Sequence, residues 1–150
     1  MDCYACSNND QFDRLPPREK IAADAYWRVA HDFNSSLRGW LVLVPRRHVT
    51  SIAELTDAEA AVLGGWQVRL SRALGEVTGC VKTYVMQFAE QESFAHVHFH
   101  LVPRMPDLPT ERRGPAVFRY LDSVEGERLS DVQRDRVAIA VRAALVHAQA

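Results

Sequence analysis

The chain has 150 residues and a mass of 16.9 kDa, with 18 Lys and Arg against 19 Asp and Glu. This length fits one domain, and the near-neutral charge argues against a protein that binds nucleic acid mainly through phosphate contacts. No apolar run approaches the roughly 18 residues of a membrane span, and the acidic and polar residues near the start do not resemble a secretory signal. The composition therefore predicts a soluble, cytoplasmic, single-domain protein without a membrane or nucleic-acid partner.

The three cysteines are too few, and odd in number, for a disulfide framework. Cys3 and Cys6 form a Cys-x-x-Cys pair, whereas Cys80 stands apart and suits a buried apolar role. In a reducing compartment such a pair indicates metal binding or redox chemistry rather than a structural disulfide. Residues 7–10 read as a turn, not as the helix that follows a thioredoxin-type motif, so we favour metal binding. Two further ligands are then required.

Four segments are rich in β-forming or continuously apolar residues and read as strands: residues 26–30, 40–44, 81–88 and 95–102. A turn that contains Gly39 separates the first two, and Pro45 and Pro103 end the second and fourth. Residues 90–93 form a polar loop between the last two strands. Residues 103–117 hold four of the seven prolines and also predict a loop.

Two segments have the apolar spacing of helices. Thr56 and Glu59 form a capping box that opens the first, expected over about 57–74 with Gly75 as its end. Ser130 caps the second, the C-terminal helix. Its apolar face is expected to consist of Val132, Val137, Val141, Ala144 and Leu145. Strands followed by helices with short links predict an α+β fold on an antiparallel sheet.

Half of the six histidines lie within five residues, at His96, His98 and His100. Successive side chains of a strand point to opposite faces. The three imidazoles therefore share one face, and the apolar residues between them share the other. An unsatisfied buried imidazole costs free energy, so three in line require partners such as a metal, a phosphate or carbonyl groups.

Two functions fit this face. Imidazoles two residues apart on a strand can hold zinc or iron, which would make the triad a catalytic metal site. Alternatively, one neutral imidazole attacks phosphorus and forms a covalent intermediate that water hydrolyses. Its neighbours would then fix its tautomer and stabilise the phosphoryl oxygens.

Two motifs resemble those of a known family. Residues 96–102 match the pattern His-φ-His-φ-His-φ-φ in full, where φ is apolar. Residues 39–49 resemble the pattern Gly-His-φ-φ-φ-φ-Pro-x-x-His-φ, and residues 55–59 resemble the acidic helix start that follows it. With these motifs the chain is similar to the histidine-triad (HIT) nucleotide hydrolases and transferases. The resemblance covers about residues 3–104, within a single HIT-like domain over residues 1–150.

The resemblance implies a role for five residues. His98 would be the nucleophile, and His100 would orient it, with the His100 backbone carbonyl accepting a hydrogen bond from the other ring nitrogen. Ser93 would contact the phosphate or the leaving group. Asp32 would bind the ribose hydroxyls, although an Asp that starts a turn explains this position equally well. Gln87 lies where some dinucleoside-polyphosphate members carry Gln, but an ordinary polar strand position explains it at least as well.

The resemblance also implies the missing metal ligands. Bacterial relatives bind a structural zinc through a Cys-x-x-Cys pair, the histidine after the Pro-x-x turn and the first histidine of the triad. The matching residues here are Cys3, Cys6, His48 and His96. Such a Cys₂His₂ set is closed, which suits one structural zinc per chain and leaves the chemical step without a cofactor.

The chain departs from the family pattern at two positions near the triad. Glu92 stands where Gln is frequent, and its charge beside a phosphate is unfavourable unless it faces solvent or a cation. Trp40 replaces the usual histidine and is expected to reshape the wall of the site. Residues 105–150 match no family pattern and are expected to close over the pocket or to form an interface.

The resemblance implies a homodimeric enzyme whose two sheets join across the long helix. It would cleave a phosphoanhydride or phosphoramidate bond at the α-phosphorus of a purine nucleotide conjugate or dinucleoside polyphosphate, and release a nucleoside monophosphate. The alternatives are a metal-dependent hydrolase or oxygenase that uses the triad as ligands, and an adaptor that binds nucleotides without turnover. A zinc-ribbon nucleic-acid binder is the weakest alternative, because only one Cys-x-x-Cys pair exists.

Overall fold

The computed structural model describes residues 2–122 and 124–148, and its centre is a five-stranded antiparallel sheet. The strands are β1 (Ala22–Ala23), β2 (Trp27–His31), β3 (Leu41–Pro45), β4 (Lys82–Met86) and β5 (Phe99–Arg104). The helices are α1 (Tyr4–Asp10), α2 (Asp57–Thr78) and α3 (Asp131–His147). The strand order β1-β2-β3-β5-β4 confirms the predicted α+β class and places β5 between β3 and β4. Within the described ranges, no helix has both the length and the apolar character needed to cross a bilayer.

The alternation of side chains along β2, β3 and β5 separates the core from the candidate site. Odd-numbered residues such as Val29, Leu43 and Leu101 are fully buried and pack with α2 and α3 in the main core. Even-numbered residues such as Ala30 and Val42 point to the opposite face, where they line a cavity. Helices α2 and α3 therefore cover one face of the sheet and leave the other for the site.

The last strand was predicted over residues 95–102 but runs from Phe99 to Arg104, so it starts four residues later and Pro103 does not end it. The Arg104 carbonyl accepts from the Val81 N–H on the β4 side, so the backbone nitrogen of the preceding residue, Pro103, faces the β3 side. The last β3 residue that pairs with β5 is Leu41, opposite Leu101. The missing N–H of proline therefore removes no bond from the sheet.

The long helix begins as predicted but continues four residues further. Both hydrogen bonds of the capping box between Thr56 and Glu59 are present. Gly75 was predicted as the end of the helix, and this prediction is wrong, because the helix continues to Thr78. Gly79 ends it instead, since its φ of 74° is the left-handed conformation that glycine adopts without strain.

The prediction of a turn over residues 7–10 is also wrong, because they belong to helix α1. The Cys3 sulfur accepts a hydrogen bond from the Cys6 N–H and acts as the N-cap of this helix. Asn8 and Asn9, which suggested a turn, use their side-chain amides to bind the Glu19 carboxylate and the Pro45 carbonyl. Tertiary contacts therefore override the local preference of these residues.

The C-terminal part of the chain packs on both faces of the sheet. Ser130 caps α3 as predicted, and the expected apolar face is buried except for Val132, which is 59% exposed in the first turn. The Pro-rich segment after β5 instead places Leu108 and Val117 against Trp40 and Val102 in a second, smaller core. Part of the segment that matched no pattern thus covers the sheet beside the histidine cluster.

His31 is buried at the end of β2 and closes the turn to β3. Its Nδ1–H donates to the Asp32 carbonyl at 2.8 Å, and its Nε2 accepts from the Gly39 N–H at 3.0 Å. The bond that Nε2 accepts requires the neutral ring, because a protonated Nε2 can only donate. Burial lowers the pKa of His31 to about 4, well below its ordinary value of 6.5.

This shift predicts acid destabilisation. The unfolded chain protonates His31 below about pH 6.5, whereas the folded chain does so only near pH 4, so the unfolded state binds more protons in this window. The contribution of His31 to the free energy of unfolding, at most about 3 kcal/mol, is complete above pH 6.5 and is lost as the pH falls to 4. Urea denaturation should show that the free energy of unfolding falls less steeply between pH 6.5 and 4 in His31→Gln than in the wild type. His147→Gln, which changes an exposed histidine, should follow the wild type; equal slopes for all three proteins would contradict the assignment.

Candidate functional site

A cavity of about 80 Å³ lies on the face of the sheet opposite the two long helices. Strands β2 and β3 form its floor, helix α1 contributes one wall, and His96 and His98 border it just before β5 begins. Asp32 also lines it. This enclosed volume is below the roughly 300–1,000 Å³ that is common for small-molecule sites, so a ligand of nucleotide size would extend out of the cavity.

His98 is half-buried at this cavity, and its tautomer is determined by one hydrogen bond. Its Nδ1 lies 2.8 Å from the backbone carbonyl oxygen of His96, which can only accept, so Nδ1 carries the proton. The lone pair is therefore on Nε2. The carbonyl belongs to His96 and not to His100, which corrects the role that the resemblance implied for the His100 backbone.

His100 is buried beside His98, with ring centroids 4.8 Å apart. The Trp40 indole N–H donates to His100 Nδ1 at 3.0 Å, so the proton of a neutral His100 is on Nε2. Burial, with a smaller contribution from His98, lowers the pKa of His100 to about 3. His100 is therefore a neutral hydrogen-bond donor across the ordinary pH range.

Trp40 itself is fully buried beneath His100 and does not line the cavity, so the expectation that it reshapes the wall is wrong. Phe118 packs edge-on against both rings, at 5.5 Å from Trp40 and 5.1 Å from His100. The Pro-rich segment thus encloses the third histidine. The sequence pattern did not reveal this contact, because Phe118 lies far along the chain in a segment without periodicity.

Asp32 follows β2, and its position fits both a turn-starting Asp and a residue of the binding site. Its Oδ1 accepts from the Asn34 N–H at 2.7 Å, as in a turn-starting Asp, and the residue also lines the cavity. Burial raises the pKa of Asp32 to about 6. The carboxylate is therefore available to accept from a ligand hydroxyl above that pH.

Three aromatic rings that sequence reasoning missed line the same cavity: Tyr4, Phe33 and Phe94. Their centroids are 5.1 to 5.7 Å apart, in tilted arrangements. The Tyr4 hydroxyl donates to Glu19, and burial beside this carboxylate raises the pKa of Tyr4 to about 12. Flat apolar rings beside a carboxylate suit a ligand with an aromatic part and hydroxyl groups.

The remaining predicted residues lie outside the lining of the cavity. Ser93 is exposed in the loop before the triad, with a φ of 67°, and its carbonyl accepts from the Tyr4 N–H. Glu92, in the same loop, is exposed, so its charge faces solvent. Gln87 follows β4, and its buried Oε1 has no hydrogen-bond partner among the described residues. Such an acceptor calls for a donor from water or a ligand.

The structure brings together the four residues of the expected metal site. One ligand atom from each of Cys3, Cys6, His48 and His96 lies within 4.8 Å of all the others. The Cys6 sulfur is 3.2 Å from His48 Nδ1 and 3.5 Å from His96 Nδ1, and the two Nδ1 atoms are 3.2 Å apart. A tetrahedron with Zn–S bonds of about 2.3 Å and Zn–N bonds of about 2.0 Å has edges of roughly 3.3 to 3.8 Å. These residues therefore fit a metal ion of that size.

The surroundings of the cluster also suit a metal site. His96 Nε2 donates to the Pro45 carbonyl at 2.8 Å, which leaves the Nδ1 lone pair directed at the cluster. Of the three triad histidines, only His96 belongs to this group, which counts against the triad as a catalytic metal site. Cys80 lies apart and packs against the main core, as expected.

Comparison with known proteins places these features in a family. The family model of the HIT domain matches residues 15–107 of this chain. A Zn-bound histidine triad family protein from Mycobacterium smegmatis is 22% identical, with a TM-score of 0.71 over 99% of this chain and 96% of that one. A hypothetical histidine triad nucleotide-binding protein from Sulfolobus tokodaii is 15% identical, with a TM-score of 0.74 over 98% of this chain and 94% of that one.

A histidine triad protein from Bradyrhizobium japonicum is 23% identical, with a TM-score of 0.68 over 84% of this chain and 89% of that one. No curated protein matches the sequence. These structural likenesses establish the fold, and the domain match covers more than half of the chain. The chain belongs to the HIT domain family.

Proposed function

We propose that this protein is a nucleotidyl hydrolase or transferase that uses His98 as its nucleophile. The observation that carries the proposal is the hydrogen bond from His98 Nδ1 to the His96 carbonyl, which in the neutral ring places the lone pair on Nε2 of a residue that lines the cavity. A histidine nucleophile requires a ring with a free lone pair and a partner for the opposite N–H. The cavity would hold one part of a nucleoside monophosphate, and the rest would extend along its open side.

In the proposed reaction, Nε2 of His98 attacks the α-phosphorus, and the bond from phosphorus to the leaving oxygen or nitrogen breaks. The electron pair leaves with that atom, which takes a proton from solvent. The ring becomes cationic while it carries the nucleotidyl group, and the His96 carbonyl stabilises this charge through Nδ1–H. Water then attacks phosphorus and gives a proton to solvent, and the bond from phosphorus to Nε2 breaks with its electron pair returning to His98, which releases the nucleoside monophosphate. His100, whose ring packs against His98 outside the lining of the cavity, would donate its Nε2–H to a phosphoryl oxygen.

The proposed substrate is a purine nucleotide conjugate or a dinucleoside polyphosphate. Asp32 would accept from the ribose hydroxyls, because its carboxylate lines the cavity and has accepting capacity beyond the Asn34 N–H. Gln87 and Ser93 would contact the phosphate chain or the leaving group. The buried Oε1 of Gln87 without a partner supports a ligand contact there.

Replacing the nucleophile tests the proposal directly. His98→Ala should reduce turnover of adenosine phosphoramidate and diadenosine polyphosphates by more than about 10³-fold, because no other group can form the covalent intermediate. Product release is measured by chromatography, with circular dichroism to verify folding. His147→Gln serves as the matched control at an exposed histidine and should keep wild-type rates. A wild-type rate in His98→Ala would remove His98 from this role, and tight AMP binding without turnover of any substrate would favour a nucleotide-binding adaptor.

We also propose that Cys3, Cys6, His48 and His96 bind one structural zinc per chain. The two sulfurs and two imidazole nitrogens are a donor set that zinc prefers, and four protein ligands leave no position for a substrate. When bound, the ion would supply a cross-link between the start of the chain and the segment that carries His98. Metal ligation by both cysteines also accords with a cytoplasmic location, where thiols stay reduced.

Elemental analysis tests this assignment. The purified protein should contain one zinc per chain, and Cys3→Ser and Cys6→Ser should lose it because each removes a thiolate ligand. Cys80→Ser, which changes the third cysteine, should retain zinc. Loss of zinc from His98→Ala but not from Cys6→Ser would instead support the metal-dependent alternative.

The partner that we propose is a second copy of the chain. Strand β4 is an edge of the sheet, and Val85 on it and Val68 on α2 are 44% and 49% exposed. An edge strand with exposed apolar residues favours pairing with another sheet. Sedimentation equilibrium should give twice the chain mass of 16.9 kDa. Val85→Lys should produce monomers, whereas Val124→Lys, at an apolar residue that is 65% exposed elsewhere, should not; a monomeric wild type would contradict the proposal.

A further inference from the structure

Helix α1 depends on its contacts with the rest of the protein. It has seven residues, and none of them is fully buried. A helix of this length is unstable by itself, since isolated helices shorter than about 12–15 residues are marginal in water. Its attachments to the body are side-chain hydrogen bonds, such as those from Asn9 to the Pro45 and Arg46 carbonyls, and the contacts of the Tyr4 ring. The four-residue metal cluster, which includes Cys3 and Cys6, would add a further attachment when it holds an ion.

The same helix forms a wall of the cavity. Tyr4 and Ala5, which lie between the two cysteine ligands in the sequence, both line it. The Tyr4 ring packs at 5.1 Å from Phe33 and 5.4 Å from Phe94, which border the cavity from the body of the protein. Cys3 and Cys6, which would bind the metal, therefore flank Tyr4 along the chain and would restrain its position.

We propose that metal occupancy of the cluster holds Tyr4 in place as one wall of the nucleoside pocket, so that metal and nucleotide binding strengthen each other. This inference rests on the nucleotide-binding function proposed above. A ligand that contacts Tyr4 binds the attached state of α1 more tightly than the detached state. By linkage, the metal then raises nucleotide affinity by the same factor as the nucleotide raises metal affinity.

A binding experiment on the full chain tests this coupling without requiring turnover. AMP and GMP are the nucleotide probes, and zinc affinity is measured by competition with a chromogenic chelator. Saturating nucleotide should raise the zinc affinity of the wild type by about tenfold, within the usual range of such couplings. In Tyr4→Ala, the zinc-loaded protein should bind the nucleotide about tenfold more weakly, and the nucleotide should no longer affect zinc affinity.

Tyr26→Ala is the matched control. Tyr26 and Tyr4 are both 38% exposed, but Tyr26 does not line the cavity, so this variant should keep both the nucleotide affinity and the coupling. If Tyr4→Ala binds nucleotide as tightly as the wild type, or if zinc affinity is independent of nucleotide, the coupling is wrong while the proposed function stands. If the zinc-loaded wild type binds neither nucleotide, the proposed function fails and the coupling fails with it.

Discussion

The hydrogen bond between the His98 ring and the His96 backbone carbonyl is the constraint on which the candidate site depends. An imidazole free in water interconverts between tautomers, and only one of them presents the Nε2 lone pair. The 2.8 Å contact with an obligate acceptor selects that tautomer. His96 is itself held by its bond to the Pro45 carbonyl and by the cysteine and histidine cluster. The orientation of the candidate nucleophile thus follows from a chain of contacts that begins at the cysteine and histidine cluster.

The neighbouring histidine is held by an opposite arrangement. His100 Nδ1 accepts from the Trp40 indole, so its proton is on Nε2 and it can only donate there. The neutral His98 ring therefore offers a lone pair on Nε2, whereas the His100 ring offers a proton there. Their environments produce this difference, because His98 is half-buried at the cavity and His100 is enclosed by Trp40 and Phe118.

The parts of the fold that depend on local patterns could be predicted from the sequence. The capping box at Thr56, the cap at Ser130 and the separation of Cys80 from the cysteine pair all agree with the structure. The alternation of faces around the triad also agrees, although β5 itself begins only at Phe99. The family motifs indicated the four residues that the structure brings together as a candidate metal site. These features follow from spacing along the chain, which a single sequence records.

The features that could not be predicted depend on contacts between distant segments. Residues 7–10 look like a turn in isolation and become helical through contacts with Glu19 and Pro45. Trp40 was visible as a departure from the family pattern, but its bond to His100 depends on the register of β3 against β5. Tyr4 had no motif at all, and only the folding of α1 over the cavity gives it a place in the site.

The most direct test of the account is detection of a nucleotidyl group on His98. The wild-type protein is mixed with adenosine phosphoramidate, quenched at alkaline pH within one turnover, digested and examined by mass spectrometry. The account predicts an adenylyl adduct on the peptide that contains His98, located on that ring by fragmentation, which disappears in His98→Ala. Release of AMP with no adduct at any time, or an adduct on another residue, would contradict it.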